Sequence, residues 1–253
     1  MEFSFKTNAP TQAATPLLSV IIPVFREEST INEFLNRLLM VFPQIPFELI
    51  LVDGERPAHT LAALNPSLKA DPRVKTATSP KGRALQMNLG AEMANGDLLL
   101  FLHADTTIDR KAILRMLSIS ASDTYVGGAF DLAIQSPRFS LKLIARVASI
   151  RSRMTRIPYG DQAVFLKRSC FLALEGFAPI PLMEDVDIMR RIKKRGWRIR
   201  IFSVRVVTSG RRWEKEGALF GTLRNWSLMT LYLLGVPPEK LAGYYRFRTV
   251  SRN

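Results

Sequence analysis

The sequence predicts an α/β protein, built on a mostly parallel, twisted sheet flanked by helices. Three observations carry this expectation. Continuous apolar runs of strand length, 17-LLSVIIPVF-25, 47-FELILVDG-54 and 97-DLLLFLHADT-106, read as strands buried on both faces. Segments with helical spacing alternate with them. Each of these strands also delivers polar residues just past its apolar run. Strand and helix alternating in this order is the pattern of a doubly wound parallel sheet.

Taken in order, the first strand covers 17–25, and 30-TINEFLNRLLMVF-42 follows as a helix. Thr30 and Glu33 fit a capping box, and Ile31, Phe34, Leu35, Leu38 and Phe42 keep helical spacing. Pro43 is expected to stop this helix. The second strand ends in Asp53-Gly54, and 73-RVKTATS-79 is a short third strand. In 83-RALQMNLGAEMANG-96, Leu85, Leu89 and Met93 recur at four-residue spacing, with Gly96 expected as C-cap. The fourth strand then delivers Asp105.

The second half is less regular. It offers a strand at 125-YVGGAFDLAI-134, a basic amphipathic helix over 139–153, and a polar loop and strand at 159-YGDQAVFLKR-168. The run SCFLALEGF reads as helical and puts Cys170 in the core. Pro179 and Pro181 precede a helix that opens near Glu184, turns Val186, Met189 and Ile192 inward, and ends at Gly196. Trp197, Ile199 and Ile201 then alternate with Arg198 and Arg200, a half-exposed strand. Residues 1–16 read as a flexible lead-in and 17–213 as a single domain. Residues 214–253 read as a C-terminal helical segment, packed on the domain or lying at a membrane surface. Within it, 217-GALFGTLRNWSLMTLYLLG-235 is interrupted by Arg224 and Asn225, so it is a core or interfacial helix rather than a span.

Over 253 residues the formal net charge is +14. That excess favours an anionic partner: nucleotide phosphates, nucleic acid or an acidic membrane surface. The single cysteine excludes an internal disulfide framework and fits a reducing compartment. The N-terminus has no apolar stretch behind a basic one, so it does not read as a signal peptide. The expected location is the cytoplasm. The charge balance and 217–235 extend that expectation to the inner face of the cell membrane.

Ligands of doubly wound sheets bind outside the carboxyl ends of the strands. Arg26-Glu27-Glu28, Asp53-Gly54 and His103-Ala104-Asp105 follow three of those ends. One acid there is turn chemistry. Acids at three strand ends of one parallel sheet make a site. No G-x-G-x-x-G follows the first strand and no G-x-x-x-x-G-K-[ST] occurs, which disfavours a dinucleotide-binding fold and a P-loop. Lys81-Gly82-Arg83 opens a helix, where free backbone N–H groups suit a phosphate; the competing reading is a solvated turn. An acid near a diphosphate, as Asp105 would be, is a natural ligand for Mg²⁺ or Mn²⁺. Glu184, Asp185 and Asp187 open another helix, where the dipole favours acids. The adjacent Glu184 and Asp185 are expected to feel that dipole alike. A carboxylate at 185, positioned by the proline-rich loop before it, can take a proton from an attacking hydroxyl.

In this order, SVIIPVFRE, LILVDG, KGRALQMNLGA, GDLLLFLHADT, GDQAVFLKR, EGF and PLMEDVDIMRRIKKRG resemble a bacterial family-2 glycosyltransferase with the GT-A fold. The resemblance runs from about Leu17 to Trp213 and is closest to the compact subgroup associated with radical-SAM or selenium-domain proteins. It implies an inverting, metal-assisted transfer of sugar from a nucleotide-diphosphate sugar to an acceptor hydroxyl on a lipid or glycan. By position it implies that Pro23, Phe25, Glu27 and Asp53 hold the nucleoside. Lys81 and Arg83 would lie near the donor phosphates, Asp105 would carry Mg²⁺ or Mn²⁺, and Asp185 would be the catalytic base.

Several positions depart from the family pattern. His103-Ala104-Asp105 stands for the family's Asp-x-Asp, and metal ligation, donor contact and packing all stay open for His103. Asp53-Gly54-Glu55-Arg56 replaces the common Asp-Asp-Gly-Ser. Ser209-Gly210-Arg211-Arg212-Trp213 is a reduced form of the Q-x-x-R-W pattern of processive synthases, and with no long membrane spans a processive synthase is disfavoured. Arg211, Arg212 and Trp213, with Glu184, Asp161 and Gln162, fall to the acceptor or phosphate side, the first three reading equally as a basic surface turn. Two other classes compete. A sugar-nucleotide pyrophosphorylase or other nucleotidyltransferase usually has a glycine-rich loop after the first strand, which PVFREES lacks. A basic nucleic-acid-binding protein explains the charge but not the strand-end acids, so no nucleic acid is expected as partner.

Overall fold

The computed structural model describes residues 17–42 and 45–250, except for the side chains of 212, 215, 219 and 245–250. The lead-in 1–16 and Pro43 lie outside the described residues. The first half contains β1 (Leu18–Val24), α1 (Ile31–Val41), β2 (Phe47–Asp53), α2 (His59–Ala62), α3 (Pro66–Ala70), β3 (Val74–Thr78), α4 (Arg83–Met93) and β4 (Leu98–Phe101). After it come β5 (Thr106–Thr107), α5 (Arg110–Leu117), β6 (Gly127–Gln135), α6 (Phe139–Thr155), a 3₁₀ turn at Gly160–Gln162 and β7 (Phe165–Lys167). The chain continues through α7 (Arg168–Ala173), α8 (Glu184–Lys194), β8 (Ile199–Ser209), α9 (Arg211–Glu216), α10 (Ala218–Leu233) and α11 (Pro238–Val250).

The strands form one sheet in the order β3-β2-β1-β4-β7-β6-β8-β5. The first four are parallel, β7 runs against its neighbours, β6 and β8 are parallel to each other, and β5 closes the edge antiparallel to β8. This is the mostly parallel, helix-flanked sheet that the apolar runs predict.

Side chains alternate across the sheet, and each face has its own core. Val20, Ile22, Leu49, Leu51, Leu98 and Leu100 pack against α1 and α5. Ile21, Ile50, Val52, Leu99 and Phe101 pack against α4, α7 and α8. Full burial of each such side chain contributes about 2 kcal/mol. The C-terminal segment joins this second core through Leu228, Tyr232 and Leu241. The expected boundary after 213 falls inside α9.

The strand order reverses between β1 and β4, and Pro23 sits there. The last β1–β4 pair is Ile21 with Phe101, and Ile21 O still accepts the Leu102 N–H. The backbone groups of Pro23 face the same side as those of Ile21, beyond the end of that ladder. The next parallel rung would run from the N–H of residue 23 to Leu102 O, and proline has no N–H to donate, so the ladder stops here. Beyond it the two strands are free to part, at the point where doubly wound sheets bind ligands.

Three local expectations are corrected. Thr30 forms no capping box; its hydroxyl donates to the backbone and side chain of Glu27 instead. Gly96 is not the C-cap of α4, which ends at Ala94. A Cβ at Gly96 would lie 2.7 Å from Ser19 N, so glycine is required there by close approach to β1. Cys170 is half-buried, while Phe171, Leu174 and Phe177 supply the core. The alternation expected over 197–201 is present, with Arg198 and Arg200 exposed, and breaks only beyond it at the buried Phe202, where a bulge shifts the β6–β8 register after Phe130.

Candidate functional site

The carboxyl ends of β1, β2 and β4 meet at one edge, as their polar tails require. Asp53 ends β2 fully buried; its Oδ1 accepts the Glu55 N–H at 3.0 Å and its Oδ2 is buried without a hydrogen-bond partner. Unpartnered buried carboxylate oxygens are rare and point to a missing donor. The Gln86 amide donates to the carbonyls of Val24 and Val52, both at 2.8 Å, and so ties the ends of β1 and β2 to α4. Phe25 follows β1 with the Lys81 ammonium 4.1 Å from its ring centroid. Glu27 is held by Thr60, whose hydroxyl accepts the Glu27 N–H. Pro23, Phe25, Glu27, Asp53 and Lys81 are thus gathered at this edge.

A cavity of about 120 Å³ opens beside them, lined by Arg83, His103, Asp105, Tyr159, Asp161, Asp185 and Trp213 among others. Met183 takes a left-handed conformation, φ 70°, immediately before α8, and this turn delivers Asp185. The Asp185 carboxylate accepts two backbone N–H groups, Gly160 on Oδ2 and Val186 on Oδ1, both at 2.8 Å. A Cβ at Gly160 would stand 3.1 Å from the His103 ring, so a larger residue there would press on that imidazole. Asp105 is exposed to the cavity, and the hydroxyls of Thr106 and Thr208 donate to its Oδ1 at 3.2 and 3.4 Å. The Tyr159 hydroxyl is pushed up to about 12, first by burial and then by Asp185 and Asp161, against the opposing Arg151 guanidinium. Tyr159 therefore stays neutral through the physiological range.

Glu184 and Asp185 are not equivalent. Glu184 is 3% exposed and paired with Arg83 at 3.0 Å, whereas Asp185 is half-buried in the cavity wall. Burial pushes the Glu184 carboxyl above the ordinary value, and Asp185 adds to the rise, while Arg83 opposes it. Glu184 thus acts on the cavity through Arg83. Gln162 is fully buried; its amide donates to Phe130 O and Ser152 Oγ, and its Oε1 accepts the Tyr159 N–H. It shapes the Tyr159–Asp161 turn and does not reach the cavity. Trp213 lines the cavity, but Arg211 lies in a neighbouring groove that Asp105 also borders. The side chain of Arg212 lies outside the described residues.

Residues that sequence reasoning missed include Gln86, Tyr159 and Asn88. The Asn88 amide exchanges two hydrogen bonds with the Phe177 backbone, at 2.8 and 2.9 Å, and fixes the loop that leads to α8. Its place in KGRALQMNLGA was the available signal. Among the described residues, Glu28, Glu55 and His59 also bring ligand atoms within 4.8 Å of one another. Arg26 binds Glu55 there at 2.7 Å, so this group closes the loop as an ion-paired cluster.

Residues 19–178 match the family described as glycosyl transferase family 2. The chain belongs to that family. Relatives of this family 2 chain include the probable glycosyltransferase YdaM of Bacillus subtilis (strain 168), 24% identical over 84% of this chain and 55% of the relative. The chain spans about half the length of the curated relatives it matches. Among solved structures, mannosyltransferase PcManGT from Pyrobaculum calidifontis, in complex with GDP-Man and Mn²⁺, has a TM-score of 0.60 at 21% identity, covering 78% of this chain and 57% of that one. S. aureus TarS 1-349 with UDP has a TM-score of 0.59 at 17% identity, covering 76% and 60%. The fold is GT-A-type.

The metal that this fold family implies fits the residues present. Asp105 offers a hard oxygen ligand inside the cavity, with the His103 imidazole beside it, and the cavity leaves room for phosphate oxygens. One or two carboxylates plus phosphates and waters is the usual donor set for Mg²⁺ and Mn²⁺.

Proposed function

We propose that the chain transfers a sugar, with inversion, from a nucleoside-diphosphate sugar to an acceptor hydroxyl. The observation that carries this reading is that Asp185 and Asp105 line one cavity at the carboxyl edge of a parallel sheet. The nucleoside lies over Pro23, Phe25, Glu27 and Asp53, where the Asp53 Oδ2 lacks a donor. Lys81 and Arg83 face the diphosphate at the start of α4. Asp105, with His103, holds Mg²⁺ or Mn²⁺, which when bound neutralises charge developing on the diphosphate. Asp185 takes the proton of the acceptor hydroxyl. The acceptor oxygen bonds to the anomeric carbon from the face opposite the diphosphate, the sugar–diphosphate bond breaks, and a nucleoside diphosphate departs. Asp161, Trp213, Arg211 and Arg212 fall to the acceptor side. Two backbone N–H groups fix the base before substrate arrives, which supports a preorganised site. The motif order supports membership of the compact subgroup associated with radical-SAM or selenium-domain proteins, and the lone cysteine supports a cytoplasmic setting.

The test is a panel of nucleotide sugars, each assayed for metal-dependent binding and turnover. Release of nucleoside diphosphate is the expected product. Pyrophosphate instead would replace this reading with a nucleotidyltransferase.

A further inference from the structure

The helix α6 buries one face and carries large apolar side chains on the opposite one. Leu141, Ala145, Ser149 and Ser152 are buried, and at about 100° per residue they centre on one side. Phe139, Leu143, Ile150 and Met154 centre on the other side, and they are 78, 51, 49 and 80% exposed. A surface helix ordinarily turns polar residues outward. Here the outermost stripe is a row of large apolar side chains.

The charge around the stripe is mainly basic. None of the residues of α6 is acidic. Lys142, Arg146 and Arg153 run along one border of the stripe. Arg153, which also holds Asp131, continues into a wide trough where Lys111, Arg115, Arg200 and Arg205 outnumber the one acid, Asp109. On the other border α10 packs beside α6, where the Arg151 guanidinium reaches Met229 Sδ at 3.2 Å, and α10 exposes Phe220, Leu223 and Trp226.

We propose that the outer face of α6 docks on an anionic bilayer surface. Its apolar stripe enters the headgroup boundary while the cationic border and trough meet lipid phosphates and carboxylates, the pattern of helices that lie in the plane of a membrane. A second copy of the chain fits this face poorly, because it would set one row of cations against another. Among the described residues no helix is long and apolar enough to cross a membrane. Attachment through α6 does not depend on the sugar-transfer reading. If that reading also holds, α6 runs into Tyr159 and Asp161 and packs against Trp213, all at the cavity, so an acceptor carried by lipid would arrive beside the base.

The experiment is co-sedimentation of the full chain with vesicles of phosphatidylcholine alone or with one third phosphatidylglycerol, at low and high salt. Two variants are compared: Leu143→Ser with Met154→Ser, and Lys142→Glu with Arg146→Glu. The wild type is expected to bind the anionic vesicles and to release with salt. Each variant should bind at least about tenfold more weakly. Both should keep the wild-type circular dichroism and bind nucleotide as the wild type does, because the altered side chains are exposed and outside the cavity. No binding of the wild type to anionic vesicles would overturn the proposal, as would equal binding by both folded variants. So would a concentration-dependent dimer that the same substitutions abolish, which would assign the face to a second copy.

Discussion

Arg83 Nε stands 3.0 Å from Glu184 Oε1, and this one ion pair joins the start of α4 to the start of α8. One end of the pair is buried and the other lines the cavity. The phosphate-side cation and the loop that carries the base are therefore set by the same contact. Asp185, the next residue, is held separately by backbone N–H groups.

Asp185→Asn should lower transfer by about a hundredfold to ten-thousandfold, the usual cost of losing a general base. Both carboxylate oxygens accept a backbone N–H, so an asparagine must also turn its NH₂ toward a donor. Glu184→Gln is an unsuitable control because it breaks the pair with Arg83. Asp187→Asn is better: it shares the first turn of α8 and pairs with Arg191 outside the cavity. Turnover of Asp187→Asn should stay within a few-fold of wild type. Comparable rates for wild type and a folded Asp185→Asn would remove Asp185 from the role of base.

Asp105→Ala should fold normally, since its side chain is exposed to the cavity, and should lose metal-dependent donor binding. Calorimetric titration of nucleotide sugar with and without Mn²⁺ measures this. An unchanged Mn²⁺ dependence would reassign the metal ligand.

Two buried glutamates should give opposite pH slopes. Burial pushes Glu48 up, but Lys75, Ser19 and the Asn95 N–H together hold it below the ordinary value of 4.5. Its contribution to stability is present above that value and is lost as the pH falls through the lower folded-state value. Glu184 is raised above 4.5, so its carboxylate is disfavoured in the folded state. Its favourable contribution is full below 4.5 and is lost as the pH rises through the higher folded-state value. Denaturant midpoints of Glu48→Gln and Glu184→Gln, each set against wild type, should show it. On acidification the gap for Glu48→Gln should shift in favour of the variant, and that for Glu184→Gln in favour of wild type.

Asn88→Ala should cost about 1–3 kcal/mol, because it leaves the Phe177 N–H and carbonyl without their partners. Urea unfolding measures the loss. The freed loop lies upstream of α8, so kcat should fall more than nucleotide affinity. A fall in nucleotide affinity alone would contradict the positioning role.

The strands β1, β2 and β4 were legible because each is an uninterrupted apolar run, and the strand-end acids were legible because strand direction fixes where they emerge. The helix at 184 was legible from Val186, Met189 and Ile192. The supports of the site were not. Gln86 and Asn88 look like ordinary polar positions on a helix, yet they bond to groups 62 and 89 positions away in the chain. Glu184 and Asp185 read as twins because helix-end acids share one dipole, while burial, which separates them, is a tertiary property. Gly96 reads as a helix C-cap, but close approach of the β1 backbone is what excludes a side chain there.

The sheet order implies a sequence of assembly. The β1–β2 neighbourhood is joined by contacts such as Ser19 with Glu48, 29 positions apart. The far edge closes only when Thr107 meets Val207, 100 positions away. Loop-closure entropy makes the distant pairing the slower one. The nucleotide side is expected to gain hydrogen-exchange protection first during refolding, and the strand that brings Thr208 to Asp105 last. An intermediate with an organised donor half and an unfinished acceptor half would follow, in which nucleotide binding returns before transfer.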